Sequence, residues 1–166
     1  MCASEKRVEF VTPLPAAPRV PARIEVMLAL PLVEHFRAEQ AGIESGLRAA
    51  EGAVGDAGRF LAQLLAMRPA VLSHFKAKDE LYPALAAQAV AANDSGAAQL
   101  TRIFEANMKV QSAAVKRFYE TLEATAPALL VSSFKTVALV IRARFETEGR
   151  AVFPLVERTA KVLEGK

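Results

Sequence analysis

Four long stretches in which apolar residues recur every three to four positions, parted by three short breakers, constrain this chain more than any other feature. The first runs from about residue 21 to 51, with Leu32, Phe36, Ile43 and Leu47 on one stripe and Pro31 as an expected kink or split. "GAVGDAG" (52–58) ends it. The second runs from about 58 to 92 and turns Leu61, Leu64, Val71, Phe75 and Tyr82 inward, with Pro69 and Pro83 expected to bend it. "NDSG" (93–96) follows, where Asp94 or Ser95 is placed to cap the next helix. The third carries Leu100, Phe104, Val115, Phe118 and Leu122 to about residue 125. After "TAPA" (125–128), with Pro127 suited to a first helical turn, the fourth carries Leu130, Phe134, Val137, Ile141, Val152 and Leu155 to about residue 164.

Short connections between long helices make neighbours antiparallel. The expected fold is therefore all-α, an up-down-up-down four-helix bundle spanning residues 22–166. Residues 1–21 hold "TPLPAAPRVP" and are read as a Pro-rich, irregular N-terminal arm. Composition agrees: the 166 residues are 52% apolar, rich in Ala and straight-chain residues and without Trp. A chain of this length buries enough surface to fold as one domain without a disulfide or a metal.

Charge narrows the partners. The 21 basic and 18 acidic residues leave +3, spread along the chain, so no footprint for nucleic acid is expected. No apolar run reaches the roughly 18 residues of a membrane span, so no membrane partner is expected. The single Cys2 and the lack of an apolar segment in "MCASEKRVEF" suit a cytoplasmic protein. No nucleophile–base pair, phosphate-cradling glycine loop or cysteine-rich metal motif is present, which argues against an enzyme.

The informative residues are those that interrupt the apolar stripes. Gln40 lies on the Phe36–Ile43–Leu47 face, His74 and Lys78 flank Val71–Phe75–Tyr82, Asn107 and Gln111 sit between Phe104 and Phe118, and Arg144 and Glu148 between Ile141 and Val152. Each helix thus carries one or two polar groups near mid-length on its inward side. Such groups are costly unless they meet each other or a ligand. One solution is a metal held by imidazole and carboxylate from facing helices. The other is a metal-free network in which Glu148 pairs with Arg144 or Lys78 and the amides of Gln40, Asn107 and Gln111 complete the bonding. The inventory favours the second, because Lys78 and Arg144 are cations and only two histidines exist. Asp79 and Glu80 read as solvated surface acids, and Tyr82–Pro83 and Phe153–Pro154 as core aromatics followed by bends.

"HFKAKDELYPAL" (74–85) and "RARFETEGRAVFPLVE" (142–157) resemble the corresponding helices of bacterial hemerythrin-like (HHE cation-binding) domains, and "RIFEANMKVQSAAVKRFYETLE" (102–123) resembles the third helix of one branch. The likeness covers roughly residues 24–160. It implies a bundle binding two irons or other divalent cations, used for oxygen binding, for nitric oxide or iron sensing, or for repair of iron centres. By that likeness His74 and Glu148 match metal-ligand positions. His35 with Glu39 one turn on, or else Gln40, stands for the first-helix histidine. Lys78 falls where a carboxylate is expected, unless a one-residue deletion lets Asp79 or Glu80 serve, and Asn107 falls where an acid is expected. The last two helices also resemble those of the Rsd and AlgQ type of anti-sigma regulators. The resulting expectation is a non-catalytic bundle binding or sensing a cation or small ligand, of the iron, O2 or NO type, at a degraded inter-helix site. The alternative is a metal-free interaction module whose partner is a regulatory protein, such as a sigma factor.

Overall fold

A computed structural model describes residues 29–91 and 93–164. The expected N-terminal arm, and the part of the first helix before Ala29, lie outside the described residues. Four long helices, all α, account for almost all of what is described: α1 (Ala29–Gly52), α2 (Ala57–Ala91), α3 (Ser95–Thr121) and α4 (Pro127–Thr147). A 3-10 turn, Leu122–Ala124, finishes α3. A π-helical turn, Glu148–Val152, carries α4 directly into α5 (Phe153–Glu164), so the two form one continuous rod.

The breaks fall where the local chemistry places them. Asp56 accepts the Arg59 N–H at 3.0 Å and starts α2. At the next turn Asn93 takes a left-handed φ of 57°, a conformation Asn tolerates, and Asp94 then caps α3 by accepting the Ala97 N–H at 2.8 Å. Pro127 opens α4 from the first-turn position, where no backbone donor is lost. From Ala29 onward α1 is unbroken, with Pro31 in its first described turn. Helix α2 likewise continues through Pro69 and Pro83, each of which removes one backbone bond.

The π turn has an identifiable cause. Pro154 has no N–H to offer the preceding turn and its ring crowds that turn's carbonyl. The helix widens there, and the Phe153 N–H reaches back to the Glu148 carbonyl. Gly149 within the turn lowers the cost of leaving α geometry.

Helix α2 packs against α1 and α3, α3 against α4, and α1 against α4 and α5. Gly46 permits a close approach, since a Cβ there would stand 3.3 Å from the Met67 Cβ. Among the described residues three apolar clusters result, a small one of Ala89, Ala97, Ala98 and Leu155 and two large ones. The larger unites Ile43, Leu47, Phe60, Leu64, Val115 and Phe134 with their neighbours. The other unites Val33, Phe36, Tyr82, Met108, Phe153 and Val156. The expected inward stripes are buried except at four positions. Leu32, Leu61 and Phe104 are only partly covered, and Leu100, expected inside, is 38% exposed. Leu100 lies at the edge of the face that meets α2 and α4, where the stripe turns outward. No described helix is long and apolar enough to cross a membrane.

Candidate functional site

On α2 and on the rod formed by α4 and α5, the buried titratable residues lie where the two large apolar clusters meet. His74, Lys78, Arg144 and Glu148 are all fully buried, at 0% exposure, which makes this layer the least ordinary part of the molecule.

Glu148 is its hub. The π turn carries the carboxylate, and four donors from three helices converge on it. Gln40 Nε2 donates to Oε2 at 2.6 Å and Lys78 Nζ donates to the same oxygen at 3.1 Å. Tyr82 Oη donates to Oε1 at 2.7 Å and Arg144 Nε donates to it at 3.0 Å. A carboxylate offers about four lone-pair sites, so this one is saturated. Burial by itself would raise the Glu148 pKa. The Lys78 and Arg144 charges, with the Tyr82 and Arg144 hydrogen bonds, outweigh it and hold the group below its ordinary value.

Lys78 is enclosed by aromatic rings. Its Nζ stands 4.0 Å from the Phe36 ring centre and 4.2 Å from that of Phe153. The two π faces partly replace the water an ammonium would otherwise hold, a contact worth up to about 2 kcal/mol when desolvated. Burial pushes the Lys78 pKa down to about 8, against the opposing pull of Glu148. Lys78 therefore stays an ammonium at neutral pH. Arg144 stacks over Phe75, with Cζ 4.2 Å from the ring centre, and donates from a terminal nitrogen to Ser112 Oγ at 2.8 Å. Ser112 in turn donates to Asp79 Oδ1 at 2.8 Å, an oxygen that lies 3.7 Å from the other terminal nitrogen of Arg144.

His74 forms the outer edge of the layer. Its Nδ1 lies 2.7 Å from Glu39 Oε2. A carboxylate only accepts, so this nitrogen carries the proton and Nε2 keeps its lone pair. Nε2 is buried without a hydrogen-bond partner, 4.0 Å from Glu148 Oε2. Burial, reinforced by the Lys78 charge, lowers the His74 pKa against the raising effect of Glu39. The imidazole is thus neutral and packed edge-on to Phe36 and Phe145. Glu39 also reaches His35 Nε2 at 3.3 Å, but the His35 side chain is 63% exposed.

The sequence-expected layer is therefore assembled for Gln40, His74, Lys78, Arg144 and Glu148. Asn107 is not part of it. It is exposed on α3, because Met108, one residue on, takes the inward position. Gln111 is half-buried at the margin, with its Oε1 buried and unpartnered. Asp79, expected to be a solvated acid, is half-buried and tied through Ser112 to Arg144. Tyr82, expected as plain core, is a donor to Glu148. Its spacing of four from Lys78 and eight from His74 places it on their face and is the signal that reveals it.

Iron or another divalent cation, implied by the hemerythrin-like likeness, does not fit these residues. His74 retains the posture of a ligand, with Nδ1–H held by a carboxylate and Nε2 free. Glu148 does not, since both oxygens are taken and an ammonium and a guanidinium lie against them. At 3.1 Å the Lys78–Glu148 attraction is about 5 kcal/mol for an effective dielectric near 20, and a dication would have to displace it while facing two fixed positive charges. Among the described residues no three His, Cys, Asp or Glu side chains gather to form a metal-holding group.

No protein-family model matches the chain, and no curated protein or solved structure matches it either.

Proposed function

We propose that this chain is a hemerythrin-like, up-down-up-down four-helix bundle in which an internal lysine–glutamate ion pair stands where such bundles would hold a divalent cation. It works as a non-catalytic, cytoplasmic interaction or regulatory module whose partner is a protein, not as a carrier of iron, O2 or NO. The observation that supports this reading is the saturation of Glu148 by Gln40, Lys78, Tyr82 and Arg144. The ion pair and the bonds around Glu148 tie α1, α2 and α4 in one register and leave the working surface to the outside of the bundle. A second reading, a single cation or small ligand taken up beside His74, rests on the unpartnered Nε2 facing Glu148.

Elemental analysis of protein purified without chelator, with absorption spectra, separates the two. The first reading expects a colourless protein with no stoichiometric metal. It also expects that Lys78→Glu, which frees the layer of one cation and supplies a carboxylate four residues after His74, takes up added zinc or ferrous iron that the native chain ignores. One or two tightly held irons in the native chain, with an absorption band lost in His74→Ala, would overturn it.

A further inference from the structure

Helix α3 carries two seven-residue repeats, and its own bundle uses only one. Thr101, Met108 and Val115, with Leu122 in the 3-10 turn that finishes the helix, recur every seven residues and are all essentially buried, at 0–2% exposure. A second series, Leu100, Ile103, Asn107, Val110 and Ala114, follows the alternating three- and four-residue steps of a coiled-coil seam, and all five are exposed. Ile103 and Val110 are 51% and 72% exposed. The seam is uncharged, and Ala106 and Ala113 beside it are small enough for another backbone to come close. Arg102, Glu105 and Lys109 all lie off this stripe by helical spacing. In a surface otherwise rich in charge, a four-turn uncharged stripe whose members besides Asn107 are all apolar marks a contact face.

We propose that this seam is a self-association surface: two copies of the chain pair α3 against α3, parallel, about a two-fold axis beside Asn107. Asn107 selects the occupant. It stands at one of the two core positions of the repeat, where a lone Asn fixes register and favours a two-stranded pairing with its own copy. Parallel pairing sets Asn107 against the Asn107 of the second copy, so that each amide donates to the other. Antiparallel pairing, in which the two kinds of core position face each other, sets it against Ile103 or Val110 and leaves a covered amide without a partner. A two-fold contact of one surface with itself is also the commonest way for a soluble chain to associate. The proposal goes beyond the proposed function and is independent of the core ion pair, whose residues face away from the seam.

Sedimentation equilibrium of the full chain tests it. The expected result is a dimer of the 17.8 kDa chain that Ile103→Glu converts to a monomer with unchanged circular dichroism; Val110→Glu serves if the first variant does not fold. In a Cys2→Ser background, Asn107→Cys is expected to form a disulfide-linked dimer on mild oxidation, whereas Asn107→Cys mixed with Ile103→Cys gives no more mixed product than chance. A native chain that stays monomeric at every concentration, or a dimer that survives both glutamate substitutions, overturns the proposal. Preferential linkage of position 103 to position 107 overturns the parallel arrangement.

Discussion

The same four helices build two very different interiors. Toward one end Ile43, Leu47, Leu64, Val115, Phe134 and Ile141 fill the space with hydrocarbon alone. One to two turns further along, Lys78, Arg144 and Glu148 occupy positions as fully buried as those. The apolar end is held by area and shape, which many side chains can supply. The charged layer is held by a match of partners, which almost no other set can supply. Two cations and a carboxylate out of water cost several kcal/mol each, and their attraction and hydrogen bonds return about as much. The layer therefore adds little net stability while it is whole. It is expensive to break, and that asymmetry makes it a register device: any sliding of α2 past the rod formed by α4 and α5 would strand a charge.

Paired near-isosteric substitutions break the comparison most sharply. Glu148→Gln keeps the shape but leaves Lys78 and Arg144 without a counter-charge, and is expected to cost roughly 3–5 kcal/mol in urea unfolding. Its counterpart at the apolar end, Leu64→Met, comes last but one in size, at less than about 1.5 kcal/mol. Equal losses from the two would mean that the charged layer is hydrated and the contrast is not real.

Between these in size lies the response to pH. His74 is held below its ordinary 6.5 in the folded chain, so the folded state resists a proton that the unfolded chain accepts. Its contribution is complete above about pH 6.5 and is lost as pH falls below that. Glu148, held below 4.5, adds a further loss in the same direction at lower pH. On the alkaline side Lys78 titrates near 8 when folded and near 10.5 when unfolded, so stability rises with pH across that interval. Tyr82, raised above its usual 10, reverses the gain beyond that point. Urea midpoints measured from pH 5 to 10 are expected to climb from acid to neutral and again above pH 8. A single broad plateau would contradict the burial of Lys78.

The smallest effect belongs outside. Arg142 bridges Glu44 and Glu51 on α1 with bonds of 2.7–3.3 Å, but it is about one-third exposed. Water screens such pairs, so Arg142→Ala is expected to lose no more than about 1 kcal/mol, and less in high salt.

Helical periodicity and the breakers at Gly52, Asp94 and Pro127 made the elements legible from sequence, because short-range sterics and capping decide them. The charged layer was legible in outline, since Gln40, His74, Lys78, Arg144 and Glu148 interrupt apolar stripes at the same height. Spacing alone could not choose between neighbouring positions. A shift of one residue on α3 puts Met108 inside and Asn107 outside, and brings Ser112 in front of Arg144. The donor role of Tyr82 was hidden because an aromatic on an apolar face satisfies the pattern whether or not its hydroxyl finds a partner. The π turn that carries Glu148 into the centre lies just before Pro154 and contains Gly149, and no periodic count registers it.

The central claim is that an ammonium, held by Glu148 and two aromatic rings, occupies the middle of this bundle. The most direct measurement is a nuclear magnetic resonance titration of the Lys78 side chain, isotopically labelled, in the native protein and in Glu148→Gln. The account predicts that Lys78 titrates near 8 in the native protein and lower still in the variant, where burial remains and the counter-charge is gone. A midpoint at the ordinary lysine value of 10.5, unmoved by Glu148→Gln, would place Lys78 in solvent and contradict it.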